Sequence, residues 1–527
     1  MAFECQESFH LVPSNSIIVS SLSSDLSCVL RPNFPQKTLK KQTLPNPKEE
    51  DNGGGGGDSG SNGRRLITDL PAALVSEIFH CLDAKDLGIV ACVSTLLNNL
   101  ATNHLGWKKF YFERWGPPSS PSPDSGKSWN ELFVERQLKS KCFMGRYTMD
   151  ILHGVCGNTE VKAVRAVFLL KTSKLIFTSG YDSIVRMWGM EDGILIAGSR
   201  PLGCTIRAIV ADDDMLLAGG DGFIQGWRAI EGNPHCFDLT GNNELRIRGH
   251  EGPITCLGLD SQRIFSGSWD MSIRIWSRTS LKCLKKLMHV DWVWSLAPCG
   301  STVASTAGSH AYVWDIESGE LVDLVRNAHM GKATSVARSF LGDLLFTGGQ
   351  DGAIHMFEVR SSTSVDGIRM IATWKPHTDH VNSLAFEFPW LVSASSDGRL
   401  ALINVRNFLQ CSRAKKSVLC AVEPPQRMLH GFGKDLYSIA VGADRIICGG
   451  EEGVVRVWNF SQALEAAKRA QNLRSIRLEN RMRRRKAQIE LNAKSGRPDQ
   501  SLASPKKTQM SGSRNGIWKG KQRDRKN

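Results

Sequence analysis

An all-β propeller of seven blades, preceded by a small all-α module and followed by a basic helix and a disordered tail, is the fold class that this 527-residue sequence predicts. Three observations carry the prediction. First, one tight turn recurs between short β-type segments, as Gly180-Tyr181-Asp182, Gly220-Asp221-Gly222, Ser268-Trp269-Asp270, Ala307-Gly308-Ser309, Gly349-Gln350-Asp351, Ser395-Ser396-Asp397 and Gly450-Glu451-Glu452. Six residues past its aspartate-equivalent position stand Trp188, Trp227, Trp276, Trp314, Phe357, Ile403 and Trp458. The intervals of 39, 49, 38, 43, 46 and 55 residues are close to the period of a four-stranded blade. Second, apolar residues between Leu66 and Leu100 fall at helical spacing. Third, residues 461–527 hold 19 Lys and Arg against 5 Asp and Glu, which leaves the rest of the chain neutral with 47 of each sign.

The elements follow in order. Residues 1–63 are rich in Ser, Pro and Lys and contain the run Gly53–Gly57, a composition that buries little and reads as a disordered leader. Residues 64–112 form the helical module. Leu70, Leu74, Ile78 and Leu82 recur every fourth residue, Pro71 sits where a first helical turn tolerates it, Asp86 is expected to cap a second helix through Val93, and Ser94 a third. Three helices this short make a small core with apolar surface left over, so the module is marginal alone and gains from a partner. Residues 113–146 form a linker: a Pro- and Ser-rich loop over 116–128, then a helix near Trp129–Lys139. The propeller spans 147–460. Its last blade has three strands downstream of Leu436 and no fourth, so Tyr147–Val155 is expected to supply the missing outer strand and protect an open edge. From Gln462 the sequence favours helix, and it carries Arg481-Met482-Arg483-Arg484-Arg485-Lys486 and later basic clusters over 506–507 and 519–526.

Two family resemblances rest on these residues. Ile67-Thr68-Asp69-Leu70-Pro71, then Leu74, Glu77, Ile78, Phe79, Leu82, Asp83, Asp86 and Leu87, and further on Val93, Ser94, Asn98 and Leu100, resemble an F-box. Leu97 departs from the aromatic residue that many members carry there. The resemblance implies that Leu70, Pro71, Leu74, Ile78 and Leu82 dock on a Skp-type adaptor, and through it on cullin and RING subunits. The plainer alternative is a helical cap that only stabilises the propeller. The second resemblance, over about 310 residues, is to WD-repeat propellers, whose blades share a polar chain of His, Ser or Thr, Asp and Trp. His250, Ser266, Asp270 and Trp276 supply all of it; His329, Thr347 and Asp351, and His377, Ser393 and Asp397, supply it without the Trp. The blade between has Ala304 and Gly308 at the positions read as corresponding, so its turn must be held otherwise. A buried turn aspartate needs donors, and the histidine and hydroxyl provide them, so these residues are read as structural.

The WD-repeat resemblance further implies that the residue before each turn aspartate faces the rim of the channel. Those positions are Tyr181, Gly220, Trp269, Gln350, Ser396 and Glu451, and Trp292 is expected to join them. Of these, Tyr181, Trp269, Trp292, Gln350, Ser396 and Glu451 are the candidate target-binding residues, since aromatic side chains make good anchors. Packing of Trp269 and Trp292 between blades is the alternative.

Signatures of catalysis are absent: the chain contains no G-x-S-x-G and no H-E-x-x-H, and Gly126-Lys127-Ser128 lacks the leading glycine of a phosphate loop. Neither a cofactor nor a metal is expected. No apolar run reaches the roughly 18 residues of a membrane span, and cysteines scattered without a C-x-x-C pair read as reduced thiols, so the expected location is intracellular, in nucleus, cytoplasm or both. The basic tail suits nuclear import or phosphate contact, or is simply a solvated helix. Its near lack of aromatics, with Trp518 alone, argues against nucleic acid as a partner. The whole arrangement resembles plant-type F-box/WD-repeat proteins and implies a non-catalytic substrate-recognition subunit of a Skp–cullin–F-box ubiquitin ligase. The rival is a nuclear scaffold that assembles a protein or protein–RNA complex through its propeller and tail.

Overall fold

A computed structural model describes residue 67 and residues 70–118, 127–152, 162–230, 233–241, 244–359, 367–406, 408–409, 422–430 and 433–494. The leader over 1–63, Thr68, Asp69 and the tail past Lys494 lie outside these residues. Helices open the described chain: α1 (Ala72–His80), α2 (Ala84–Val90), α3 (Thr95–Thr102), α4 (Gly106–Trp115) and α5 (Trp129–Lys139).

The caps explain the breaks. Asp83, not the expected Asp86, caps α2, its carboxylate accepting from the Lys85 and Asp86 N–H groups at 2.8 Å. Asp86 instead lies in the first turn, where its charge suits the helix dipole. Ser94 caps α3 through the Leu97 N–H. Ser128 and Glu131 close a reciprocal capping box on α5. α4 is an element that the three-helix reading lacked. Its Trp107 and Tyr111 join Val75, Phe79, Leu87, Leu97 and Phe133 in one core, and the Trp107 indole donates to the Ala101 carbonyl at 2.8 Å.

From β1 (Thr148–Leu152) onward the chain is built of strands. Innermost strands recur as β2 (Val164–Leu170), β3 (Ala208–Ala211), β4 (Glu244–Leu259), β5 (Val293–Cys299), β6 (Ala333–Arg338), β7 (Val381–Glu387) and β8 (Leu436–Val441), followed by β9 (Val455–Asn459). Each leads outward through antiparallel neighbours; β2, for example, continues to Leu175–Gly180, Arg186–Gly189 and Leu195–Gly198 in a 4-stranded sheet. The long β4 belongs to two such groups, pairing with Asp221–Ile230 through its first half and with Arg263–Ser268 through its second. Neighbouring innermost strands touch in chain order, and β8 returns to β2. This is a β-propeller.

Two devices tie its units together. β1 pairs antiparallel with β9, Thr148 opposite Asn459 and Leu152 opposite Val455, so a strand from before the propeller completes the outer edge of its last sheet. The expected strand extended to Val155; residues 153–155 lie outside the described residues. Along the inner ring a triplet recurs of an apolar residue, a free position and a small residue: Val164-Arg165-Ala166, Ile206-Arg207-Ala208, Ile254-Thr255-Cys256, Val293-Trp294-Ser295, Ala333-Thr334-Ser335, Val381-Asn382-Ser383 and Leu436-Tyr437-Ser438. In every strand whose ladder covers the triplet, the register shifts there. Such a bulge re-aims the central side chain. Thr255 and Thr334 use it to donate to the Val293 and Val381 carbonyls of the next unit at 2.6 Å, and Asn382 donates to Leu436 at 2.7 Å.

Helices and propeller meet along one seam. The Trp115 indole donates to the Phe388 carbonyl at 2.8 Å, Trp390 donates to Ser140, and Arg427 to Gly145 at 2.8 Å. Glu387 pairs with both Arg136 and Lys171. Here too begins α6 (Ser461–Lys494), whose Leu464 packs with Phe143, Trp390 and Phe460. Gly145 permits that approach, since a Cβ there would stand 2.4 Å from the Ala463 Cβ.

Candidate interaction surfaces

The polar chains come first, because they position the rim. His250 bridges Asp270 and Ser266, each at 2.7 Å, and the Trp276 indole donates to Ser266 at 2.8 Å. His329 bridges Asp351 at 3.0 Å and Thr347 at 2.9 Å; His377 bridges Asp397 at 3.0 Å and Ser393 at 2.8 Å. Burial alone would push these carboxyls up. Only together do the hydrogen bond and charge of each paired histidine and the turn's other donors outweigh it, and they hold Asp270, Asp351 and Asp397 below the usual carboxylate range.

The intervening blade corrects the sequence reading. Its hydroxyl comes from Ser305, not the Ala304 position: His289 meets Ser305 at 2.9 Å, and the Trp314 indole donates to His289 at 3.2 Å. The Trp there is one residue closer to its turn than in the Trp276 blade, which shifted the alignment. His329, Asp351 and His355 bring ligand-type atoms within 4.8 Å of one another. Both ring nitrogens of His329 are already committed to Asp351 and Thr347, so the group serves the turn.

Burial holds the pKa of His289 down to about 4, and burial together with the neighbouring His329 does the same for His355. An unfolded histidine takes up its proton near pH 6.5. The two groups therefore contribute fully above pH 6.5, and their contribution drains away as the pH falls toward 4, by roughly 3 kcal/mol each. The melting temperature is expected to drop across that window, and His355→Gln to reduce the drop. An equal drop in the variant would rule His355 out as a source.

The rim residues separate into two groups. Trp269 and Trp292 stack across two blades, centroids 5.0 Å apart, and Trp294 closes a trio at 6.3 and 6.1 Å. Arg207 lies 4.8 Å from the Trp269 ring, and Lys332 lies 5.1 and 4.9 Å from those of Trp292 and Trp294. Gln350 joins through its side-chain oxygen, which accepts from the Lys332 N–H at 3.3 Å. Trp292 stays 40% exposed.

Tyr181, Ser396 and Glu451 lie elsewhere. Arg165 is 5.8 Å from the Tyr181 ring and 4.0 Å from that of Tyr437. Ser396 accepts from Asn382 at 2.9 Å, and the Glu451 N–H donates to the Asp435 carbonyl at 2.8 Å. Burial, then Glu451 and Asp379, push the Asp435 carboxyl up, the mark of an acidic corner. Gly220 is buried and presents nothing to this face. Arg165, Arg207, Trp294, Asn382 and Tyr437 were missed in sequence, yet all are centres of the bulge triplet.

On α1 the sequence splits by face. Val75 and Phe79 enter the core, while Leu70, Leu74 and Ile78 remain 41, 52 and 41% exposed. Ile67 and Pro71 are exposed beside them. Leu82 differs from its expected place on this face, being half-buried against the module's own core.

Comparison with known proteins follows this division. An F-box-like family model matches residues 67–113, and a model of the WD domain, G-beta repeat, matches 241–277 and 368–404. The chain is 51% identical, over 99% of its length and 99% of the relative's, to an F-box/WD-40 repeat-containing protein of Arabidopsis thaliana. Autophagy-related protein 16 of the same plant is 22% identical over 47% of this chain and 48% of its own. The solved WD40 β-propeller domain of Doa1 aligns with a TM-score of 0.48 and 17% identity, covering 60% of this chain and 97% of that one.

Proposed function

Because the chain belongs to the F-box/WD-40 repeat proteins, we propose that it is the substrate-recognition subunit of a Skp–cullin–F-box ubiquitin ligase. Residues 64–112 bind the Skp-type adaptor, 113–146 fix distance and angle, and 147–460 form a seven-bladed propeller that holds the target. Touching innermost strands and the pairing of β1 with β9 support the seven-bladed reading. Family members of this kind are non-catalytic adaptors, and ubiquitin chemistry belongs to the partner subunits.

One observation carries the proposal. The exposed face of α1 presents Leu74 and Ile78 as neighbours four residues apart, with exposed Leu70 and Pro71 just ahead of the helix, and none is covered by the propeller. A cap that merely stabilised the propeller would have turned these residues inward. Their burial on an adaptor is worth about 1 kcal/mol or more apiece, on the scale of 1.5–3 kcal/mol for a fully buried side chain.

Leu70→Ala with Pro71→Ala is expected to weaken capture by purified adaptor about tenfold or more, and Leu74→Asp, which forces a charge into the interface, to abolish it. Val75 and Phe79 are untouched, so the module keeps its core. Unchanged capture would remove the ligase reading.

On the propeller, the Trp269, Trp292, Trp294, Arg207 and Lys332 group supports target binding by an apolar segment flanked by acid residues. The structural polar chains hold the turns that present it. No helix among the described residues is long and apolar enough to cross a membrane.

A further inference from the structure

The last described helix leaves the body of the protein within its first turns: Leu464 is buried, whereas every residue from Arg469 to Leu491 is exposed. Counting over 461–494 gives 10 Lys and Arg and 3 acids. At about 3.6 residues per turn, a helix sorts such charges by direction.

Arg474, Arg477, Arg481, Arg484 and Arg485 follow one another at intervals of 3, 4, 3 and 1 residues and fall within about a third of the circumference. Glu465, Glu479 and Glu490 all project from the opposite side. There they meet cations of that side, Glu465 pairing with Lys468 at 3.0 Å and Glu479 with Arg483 at 2.6 Å. These pairs leave the arginine stripe with no carboxylate partner among the described residues. Like charges at such spacings oppose one another and weaken the helix. A polyanion would reverse that term.

Which polyanion is settled by what flanks the stripe. Exposed Leu473, Ile476 and Leu491 lie on one flank, and Leu478, Met482 and Ile489 on the other. The arginines separate them, so the helix has no continuous apolar face to sink into a bilayer. It also has no aromatic residue on which an unpaired base could stack. That deficit, which argued against nucleic acid in sequence, applies to single strands only. The stripe is about 16 Å long at 1.5 Å per residue, or about five phosphates at 3.4 Å along one strand of a duplex. Guanidinium forks match phosphate oxygens in pairs.

We infer that α6 binds the phosphate backbone of a double-stranded nucleic acid through Arg474, Arg477, Arg481, Arg484 and Arg485, its acidic side facing solvent. DNA and RNA duplexes share this chemistry. The full chain, titrated by fluorescence anisotropy against a labelled 20-base-pair DNA duplex, its RNA counterpart and a single strand across a KCl series, distinguishes them. Both duplexes should bind more tightly than the single strand, and the tighter of the two names the physiological source. Arg474→Gln, Arg477→Gln, Arg481→Gln and Arg484→Gln together should weaken duplex binding about 100-fold at low salt. The log–log salt slope should become shallower by about 3.6, or about 0.9 per contact. Removing as many cations from elsewhere on the helix (Lys468→Gln, Arg469→Gln, Arg483→Gln, Lys486→Gln) should cost no more than about threefold, with helicity checked by circular dichroism in both variants. Absent duplex binding, equal losses in the two variants, or tighter binding to phosphatidylserine vesicles than to either duplex would each overturn the inference.

Discussion

Replacing Glu387 by glutamine is expected to leave adaptor capture and target binding each within about twofold, while slowing ubiquitin transfer to a bound target tenfold or more. Glu387 ends β7 at the seam, where it pairs with Arg136 of α5 and with Lys171 of the loop after β2. Among the described residues it is thus a carboxylate that both the helical arm and the propeller use there. Arg136 is largely buried, and loss of its partner leaves the guanidinium without its ion-pair carboxylate, a cost of about 3 kcal/mol. The arm would not detach, because Trp115, Trp390 and Arg427 still hold it. It would gain play. Under the proposed function that play is what matters, since the protein contributes effective concentration and orientation, not bond chemistry. Transfer rates measured with the adaptor–cullin–RING assembly, beside separate binding constants, test the claim. Arg136→Met with Glu387→Met removes both charges together and should recover part of the rate. A normal rate in Glu387→Gln would show that the seam's geometry does not depend on this carboxylate.

Much of the architecture was legible because its causes are local. The turn repeat follows from a buried aspartate that needs fixed donors, and these can be counted along the chain. The helical module announced itself by spacing and by Ser94. What escaped has physical reasons too. Asp83 and Asp86 are both plausible caps, and only the backbone decides which one sits ahead of the first turn. α4 has bulky residues on all sides, so it shows no periodic face, and Phe133 from beyond the Pro-rich loop completes its burial. Ser305 was hidden by a single-residue difference in turn length. The rim was legible in half. Turn positions named Trp269 and Gln350, and nearness to His289 named Trp292, but the partner Trp294 lies within β5, and Arg207 and Lys332 stand just ahead of β3 and β6. Register had to bring them together. Four of the centres missed, Arg165, Trp294, Asn382 and Tyr437, sit where the ladder shifts, and the short triplet that marks those sites is too degenerate to stand out without the fold.

The rim supplies the second large effect. Trp292→Ala combined with Lys332→Ala is expected to behave in cells as a loss of the whole protein while leaving the purified chain folded. Trp292 is 40% exposed, so its truncation removes little core, and its stacking on Trp269 is worth only about 1 kcal/mol. In a complex the balance differs. An exposed indole is the kind of anchor whose truncation costs about 2 kcal/mol or more once a partner has covered it, a loss of roughly 30-fold or greater. Lys332 caps both Trp292 and Trp294 and has no carboxylate partner among the described residues, so an acidic flank on the target would meet it. The acidic corner around Asp435, Glu451 and Asp379 would repel that same flank and thereby set the direction in which the segment lies. The readout is the set of proteins that accumulate when the chain is removed, measured by quantitative mass spectrometry after re-expression of each variant. The wild type should clear that set, the double variant should leave it in place, and Glu451→Gln should clear it with relaxed selectivity. If the double variant restores turnover, the target is held somewhere other than this aromatic trio.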